Sequence, residues 1–177
     1  MWLGVSVEDQ ERAAERIPLL LKMPAAVRFL SCEPLLEDLD LSPWLLGPDK
    51  PCAQCPRDID CECSWKSRRD LGLPAISWVI AGGESGSGAR PLDVEWLRQI
   101  VSICQLTETP CFVKQLGASP GFKLEDEERR GNTMPSFHHF DEPSGLYIKR
   151  MNDRKGGDMA EWPEELRVRE FPKRVNE

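Results

Sequence analysis

The stretch Ser77-Trp78-Val79-Ile80-Ala81-Gly82-Gly83-Glu84-Ser85-Gly86-Ser87-Gly88-Ala89-Arg90-Pro91 decides how the rest of the chain is read. Its apolar opening is short and β-branched at Val79 and Ile80, and it stops at Gly82. That pattern predicts a strand covered on both faces. A glycine-rich loop follows, with a carboxylate at Glu84, hydroxyls at Ser85 and Ser87 and a guanidinium at Arg90, and a helix is expected from about Asp93. Gly82, Gly83, Gly86 and Gly88 let the backbone adopt positive φ and approach a ligand closely. In α/β folds, sites are built on loops that leave the C-terminal ends of strands. The loop lacks the Gly-Lys-Ser/Thr of a phosphate loop and the spacing of a dinucleotide fingerprint. A glycine loop before a helix can still hold an anion, with Arg90 at hand. The competing reading is a plain turn.

Outward from this stretch, further strands alternate with helices. Trp2 to Val7 reads as a core-type strand that follows Met1 at once, so the domain's usual beginning is expected to be missing or supplied elsewhere. Asp9 caps a helix to about Ile17 that turns Ala13, Ala14 and Ile17 inward, and Pro18 is expected to break it before a second short helix through Lys22. Ala26 to Cys32 is the next strand. After the opening loop, Leu97, Ile100, Val101 and Cys104 fall at i, i+3, i+4 and i+7, one core-facing helical stripe. Cys111-Phe112-Val113 continues into Lys114-Gln115 as a further strand. About four parallel βα units amount to half of a (β/α) barrel. The expected domain is an α/β half-barrel over residues 1–122, with an insertion at 50–70 and an irregular extension at 123–177 packed on it.

Each strand ends in residues suited to a site: Ser6 and Glu8, Glu33, Glu84 and Ser85, Lys114 and Gln115. In a parallel sheet these ends share one rim. With Gly82, Gly83 and Arg90 they form the expected substrate- or cofactor-binding set, a polar pocket for a cation, an amine or a sugar. The competing reading is that each carboxylate merely caps the helix after its strand. The loop Arg154-Lys155-Gly156-Gly157-Asp158 either closes over the rim, or binds phosphate, or is a turn with solvated charges.

Seven cysteines, four of them crowded into one segment, favour metal over disulfides in a chain that opens without a signal peptide. Cys52, Cys55, Cys61 and Cys63 stand at C-x2-C-x5-C-x-C. Four thiolates can enclose zinc tetrahedrally; an iron–sulfur cluster, which also takes four cysteines, is the second option, and free cysteines the third. Cys104 and Cys111 read as small core residues, and His138-His139 as surface or structural.

The formal charge of −7 argues against bulk electrostatic binding of nucleic acid and leaves room for a local basic patch. No apolar run approaches the ~20 residues of a membrane span, so the expectation is a cytoplasmic protein without a membrane partner.

Three groups of motifs, in order, resemble an uncharacterised family of phage and prophage proteins: Val5-Ser6-Val7-Glu8-Asp9-Gln10, Arg16 to Leu21, and Phe29 to Leu36. Trp78 to Pro91, Phe112 to Gln115, Asp153 to Pro163 and Leu166 to Glu170 are similar to its later motifs. The resemblance implies a partial or complete barrel akin to radical S-adenosylmethionine enzymes, without an established reaction, and S-adenosylmethionine as cofactor. It also implies an N-terminal half carrying C-x3-C-x2-C, a spacing that the cysteines at 52 to 63 do not have. Two functions follow as expectations. In one, the chain is the C-terminal half of such a barrel and works with a separately encoded N-terminal half or by self-association. In the other, it is a non-catalytic interaction module stabilised by zinc.

Overall fold

The computed structural model describes residues 1–46, 68–69, 71–123 and 137–172. Cys52, Cys55, Cys61 and Cys63, with nearly all of the 50–70 insertion, lie outside the described residues, as does His138's side chain. The elements run β1 (Trp2–Ser6), α1 (Gln10–Lys22), β2 (Val27–Cys32), α2 (Ser42–Leu45) and β3 (Trp78–Gly82). Then come β4 (Leu92–Asp93), α3 (Val94–Leu106), β5 (Cys111–Gln115), β6 (Pro120–Phe122), β7 (Phe137–Asp141) and β8 (Leu146–Lys149).

The four expected strands form one sheet in the order β1-β2-β3-β5, and every pairing is parallel. Each strand is therefore added on the same side as the last, and all four C-terminal ends lie along one rim. α1 starts where Asp9 accepts the N–H of Arg12, and it buries Ala13, Ile17 and Leu20. α3 starts where Asp93 accepts the N–H of Glu95, and it buries the predicted stripe of Leu97, Ile100, Val101 and Cys104. Both stripes join one core with Leu30, Cys32, Val79, Ala81, Cys111 and Val113.

The opposite sheet face corrects the expectation that β3 is covered on both sides. Phe29, Trp78, Ile80 and Phe112 alternate with the core residues and are only half-buried. Trp78 is central to this face, with the rings of Trp2, Phe29, Phe112 and Phe171 at 5.5 to 6.1 Å. Trp2 remains 52% exposed and Phe171 63%, so β1 is less core-like than its composition implied.

Three further expectations are corrected. α1 runs unbroken through Pro18, because Ile17 and Leu20 hold both sides of that position in the core. Ala14, whose carbonyl is the acceptor that Pro18 cannot donate to, is exposed rather than inward. The C-terminal extension is not irregular: β4, β6, β8 and β7 make a second sheet, parallel between β4 and β6 and antiparallel elsewhere. This sheet uses residues on both sides of position 122, and Met151, Trp162 and Leu166 enter the same core as α1 and α3. Cys32, Cys104 and Cys111 are free, buried thiols, as the core reading of the latter two requires.

The two edges of the parallel sheet differ. Along β5, Val113 N–H donates to the Val168 carbonyl, Glu170 N–H donates to the Cys111 carbonyl, and Arg169 bridges Phe112 in antiparallel sense. The chain's own 168–170 segment thus takes that edge. Among the described residues no strand pairs with the outer edge of β1.

Candidate functional site

The charged residues at the strand ends are held in ion pairs. Beyond β1, Arg16 reaches back from α1 to donate to the Ser6 carbonyl at 2.7 Å and to the Glu8 carboxylate at 3.2 Å. Ser6 itself is exposed. At the end of β5, Lys114 crosses the end of β3 to meet Glu33, after β2, at 3.0 Å. The Glu33 side chain is 16% exposed and that of Lys114 54%, so the ammonium is the open side of the pair.

Glu84 turns into its own loop. Arg90 Nε donates to Oε2 at 2.8 Å, Nη2 to Oε1 at 3.1 Å, and the Arg90 backbone N–H to Oε2 at 3.0 Å. This fork, an Arg-carboxylate geometry of high directional specificity, closes the loop over residues 84–90. Ser85 is exposed on it, and Gly86 and Gly88 take positive φ with open space around them. Hydrogen bonding from Arg90 holds the Glu84 carboxyl down at about 2. Because the folded value is depressed, the staple is complete above the ordinary carboxylate range and is lost only as pH falls through about 2. A carboxyl-detected titration of Glu84 should therefore show a midpoint near 2. In Arg90→Gln the midpoint is expected to return to about 4.3; an unchanged midpoint would remove Arg90 as the cause.

Gly82 and Gly83 are buried against β5 rather than open to a ligand. Gly83 N–H donates to the Gln115 carbonyl at 3.0 Å, and a Cβ at Gly83 would lie 2.3 Å from the Leu116 carbonyl oxygen. The buried Gln115 side chain donates to the Gly83 carbonyl at 3.1 Å. These residues position the rim by locking β3 to β5. The thiol of Cys32, directly before Glu33, is pushed up by burial and by neighbouring Cys111, which keeps it protonated. Burial also raises Cys104, after its hydrogen bond to Cys111.

Several contributors carry no spacing signal in the sequence. Arg16, on α1, braces the end of β1. Asp93, a buried cap, is paired with Lys123 at 2.6 Å from beyond β6. The loop 153–158 sits on the rim: Leu116 N–H and Trp162 Nε1 both donate to the Gly156 carbonyl at 2.9 Å. Gly156, at φ +62°, lies so close that a Cβ would be 2.3 Å from the Gly117 carbonyl oxygen. The loop is a turn with Arg154 and Lys155 exposed, packed at the strand end through Gly156.

The model for a family described as "protein of unknown function (DUF5131)" matches residues 1–159. The chain belongs to this family. The match takes in all eight strands found among the described residues and the rim with its ion pairs, and it ends before the 168–170 segment that caps β5. No curated protein and no solved structure matches the DUF5131 chain. Among its described residues, no helix is long and apolar enough to cross a membrane, and no group of three or more His, Cys, Asp and Glu side chains could hold a metal ion.

Proposed function

We propose that this chain is the C-terminal half of a radical-S-adenosylmethionine-like barrel of phage type, supplying a polar strand-end rim that binds substrate or cofactor. A separately encoded N-terminal half, or a second copy, adds βα units at the outer edge of β1. The observation that carries this reading is the sheet itself. Its four parallel strands follow in chain order, with β5 capped by 168–170 and β1 without a neighbour among the described residues. A groove of about 400 Å³ beside that edge is lined by Leu3, Val5, Leu19, Leu20 and Met23, with Leu19 58% and Met23 49% exposed. An apolar groove next to an open parallel edge is where the helix of a neighbouring βα unit packs.

The Glu33–Lys114 pair gives the rim its chemistry. A ligand with both an ammonium and a carboxylate, as S-adenosylmethionine has, can replace the internal pair, its ammonium on Glu33 and its carboxylate on Lys114. An iron–sulfur cluster needs several thiolates. The described cysteines, Cys32, Cys104 and Cys111, are buried core thiols and do not fit one. In this reading the cluster belongs to the added half.

Val7 N–H and the Met1 carbonyl turn toward β2, so the backbone groups of Gly4, at the opposite parity, turn to the outer edge. Exchange of the Gly4 amide should slow by about 100-fold when the chain is co-purified with an N-terminal half or driven to self-associate. Fast exchange at Gly4 in every assembled form would sink the reading.

A further inference from the structure

We propose that Arg169, with the adjoining loop that carries Arg154 and Lys155, is a binding site for a small phosphate-bearing ligand. Arg169 is the centre of it. Its guanidinium lies 5.5 Å from the centroid of the Phe112 ring and 5.4 Å from that of Trp162. Nε donates to the Val113 carbonyl at 3.4 Å, and Nη2 donates to the carbonyls of Lys114 at 3.2 Å and Gly157 at 3.4 Å. The group is thus oriented by two rings and three carbonyls, with no carboxylate partner among the described residues. Those bonds use the N–H of Nε and those of Nη2, and both N–H groups of Nη1 remain for a ligand. A guanidinium fixed in this way presents a preorganised fork of the kind that matches phosphate oxygens.

The loop 153–158, which carries two more cations, is packed beside Arg169 through the Gly157 carbonyl. Its seat on Gly117 and Leu116 fixes it against the strand end, and Arg169 holds the carbonyl of Gly157, two residues after Lys155. Arg154 and Lys155 are exposed there. The acids of this segment accept hydrogen bonds from backbone N–H groups. Asp153 accepts from Lys155 and Gly157, Asp158 from Ala160, and Glu161 from Asn152 and Asp153. Formal charge at the site is therefore close to balanced, and what it offers a ligand is directed donors rather than a strong field. That favours a compact anion with several oxygens, such as a phosphate or diphosphate ester, over a long polyanion that needs a broad basic surface.

The inference does not depend on completion of a barrel. Binding is expected in the isolated chain, even if that chain stays monomeric. The test is a titration of the full chain with inorganic pyrophosphate, with adenosine diphosphate, and with a short single-stranded oligonucleotide, followed by calorimetry and by NMR shifts at Gly156, Gly157 and Arg169 Nε. Pyrophosphate and the diphosphate should bind with shifts confined to these residues. Arg154→Gln/Lys155→Gln, both exposed, should weaken binding at least about tenfold, which is ~1.4 kcal/mol, while Lys22→Gln at the end of α1 leaves it unchanged. Three results would each overturn the proposal: no pyrophosphate binding, binding insensitive to the double substitution, or binding of the oligonucleotide alone.

Discussion

Replacing Gly83 with alanine is expected to destabilise the fold by about 3 kcal/mol, the upper part of the range for forcing a methyl group into a packed site. The methyl would lie 2.3 Å from the Leu116 carbonyl oxygen, 2.8 Å from the Leu116 carbonyl carbon and 3.0 Å from Leu92 Cδ2. Neither backbone can retreat cheaply. Gly83 is tied to Gln115 through its N–H and its carbonyl, and Leu116 N–H is tied to the Gly156 carbonyl. Relief would require breaking the β3–β5 junction that carries Glu84 on one side and Lys114 on the other. Urea unfolding of Gly83→Ala beside Gly86→Ala measures the effect. Gly86 meets nothing within 4 Å, so its substitution reports only the cost of positive φ. A loss at Gly83 no larger than at Gly86 would show that the close approach is not a constraint on the fold.

Trp162→Ala is expected to cost about 4 kcal/mol, within the range for removing a large buried aromatic side chain. Trp162 is 2% exposed in the shared core, and its Nε1 donates to the Gly156 carbonyl that also receives Leu116 N–H. Its ring also lies under Arg169. Removal therefore opens a cavity and loosens the seat of the 153–158 loop together. Trp162→Phe separates the two effects, because it keeps most of the ring and loses the hydrogen bond, for about 1 kcal/mol. Denaturant midpoints for the pair test this; equal losses would mean that the hydrogen bond, not the packing, is what Trp162 supplies.

The parallel sheet was legible because its signals are local. Val79 and Ile80 before Gly82, and the stripe Leu97, Ile100, Val101 and Cys104, state their periods within a few residues. Pro18 misled because a proline's intrinsic cost was outweighed by the burial of Ile17 and Leu20 beside it. Within the second sheet, β4 and β6 carry no local signal because they are two and three residues long and acquire strand character only by pairing across the chain.

At the site, the residue types at the strand ends were readable, but their partners were not. Lys114 finds Glu33 across 81 positions, and Arg169 finds Lys114 and Gly157 through the fold of the tail. The glycines of the opening stretch changed meaning most. Gly83 is required by the approach of Leu116, and only Gly86 and Gly88 give the loop its left-handed turns. Gly156 was likewise readable as part of a turn, while its contact with Gly117 needed the fold.

Sedimentation velocity tests the central claim most directly, run on the chain alone and on the chain co-expressed with the polypeptide encoded upstream of it. The account predicts a discrete heavier species, either a homodimer or a one-to-one complex. It also predicts that Leu19→Lys/Met23→Lys, in the groove beside β1, abolishes that species without unfolding the chain. A monomer at all concentrations with no complex, or an assembly indifferent to Leu19 and Met23, would contradict it.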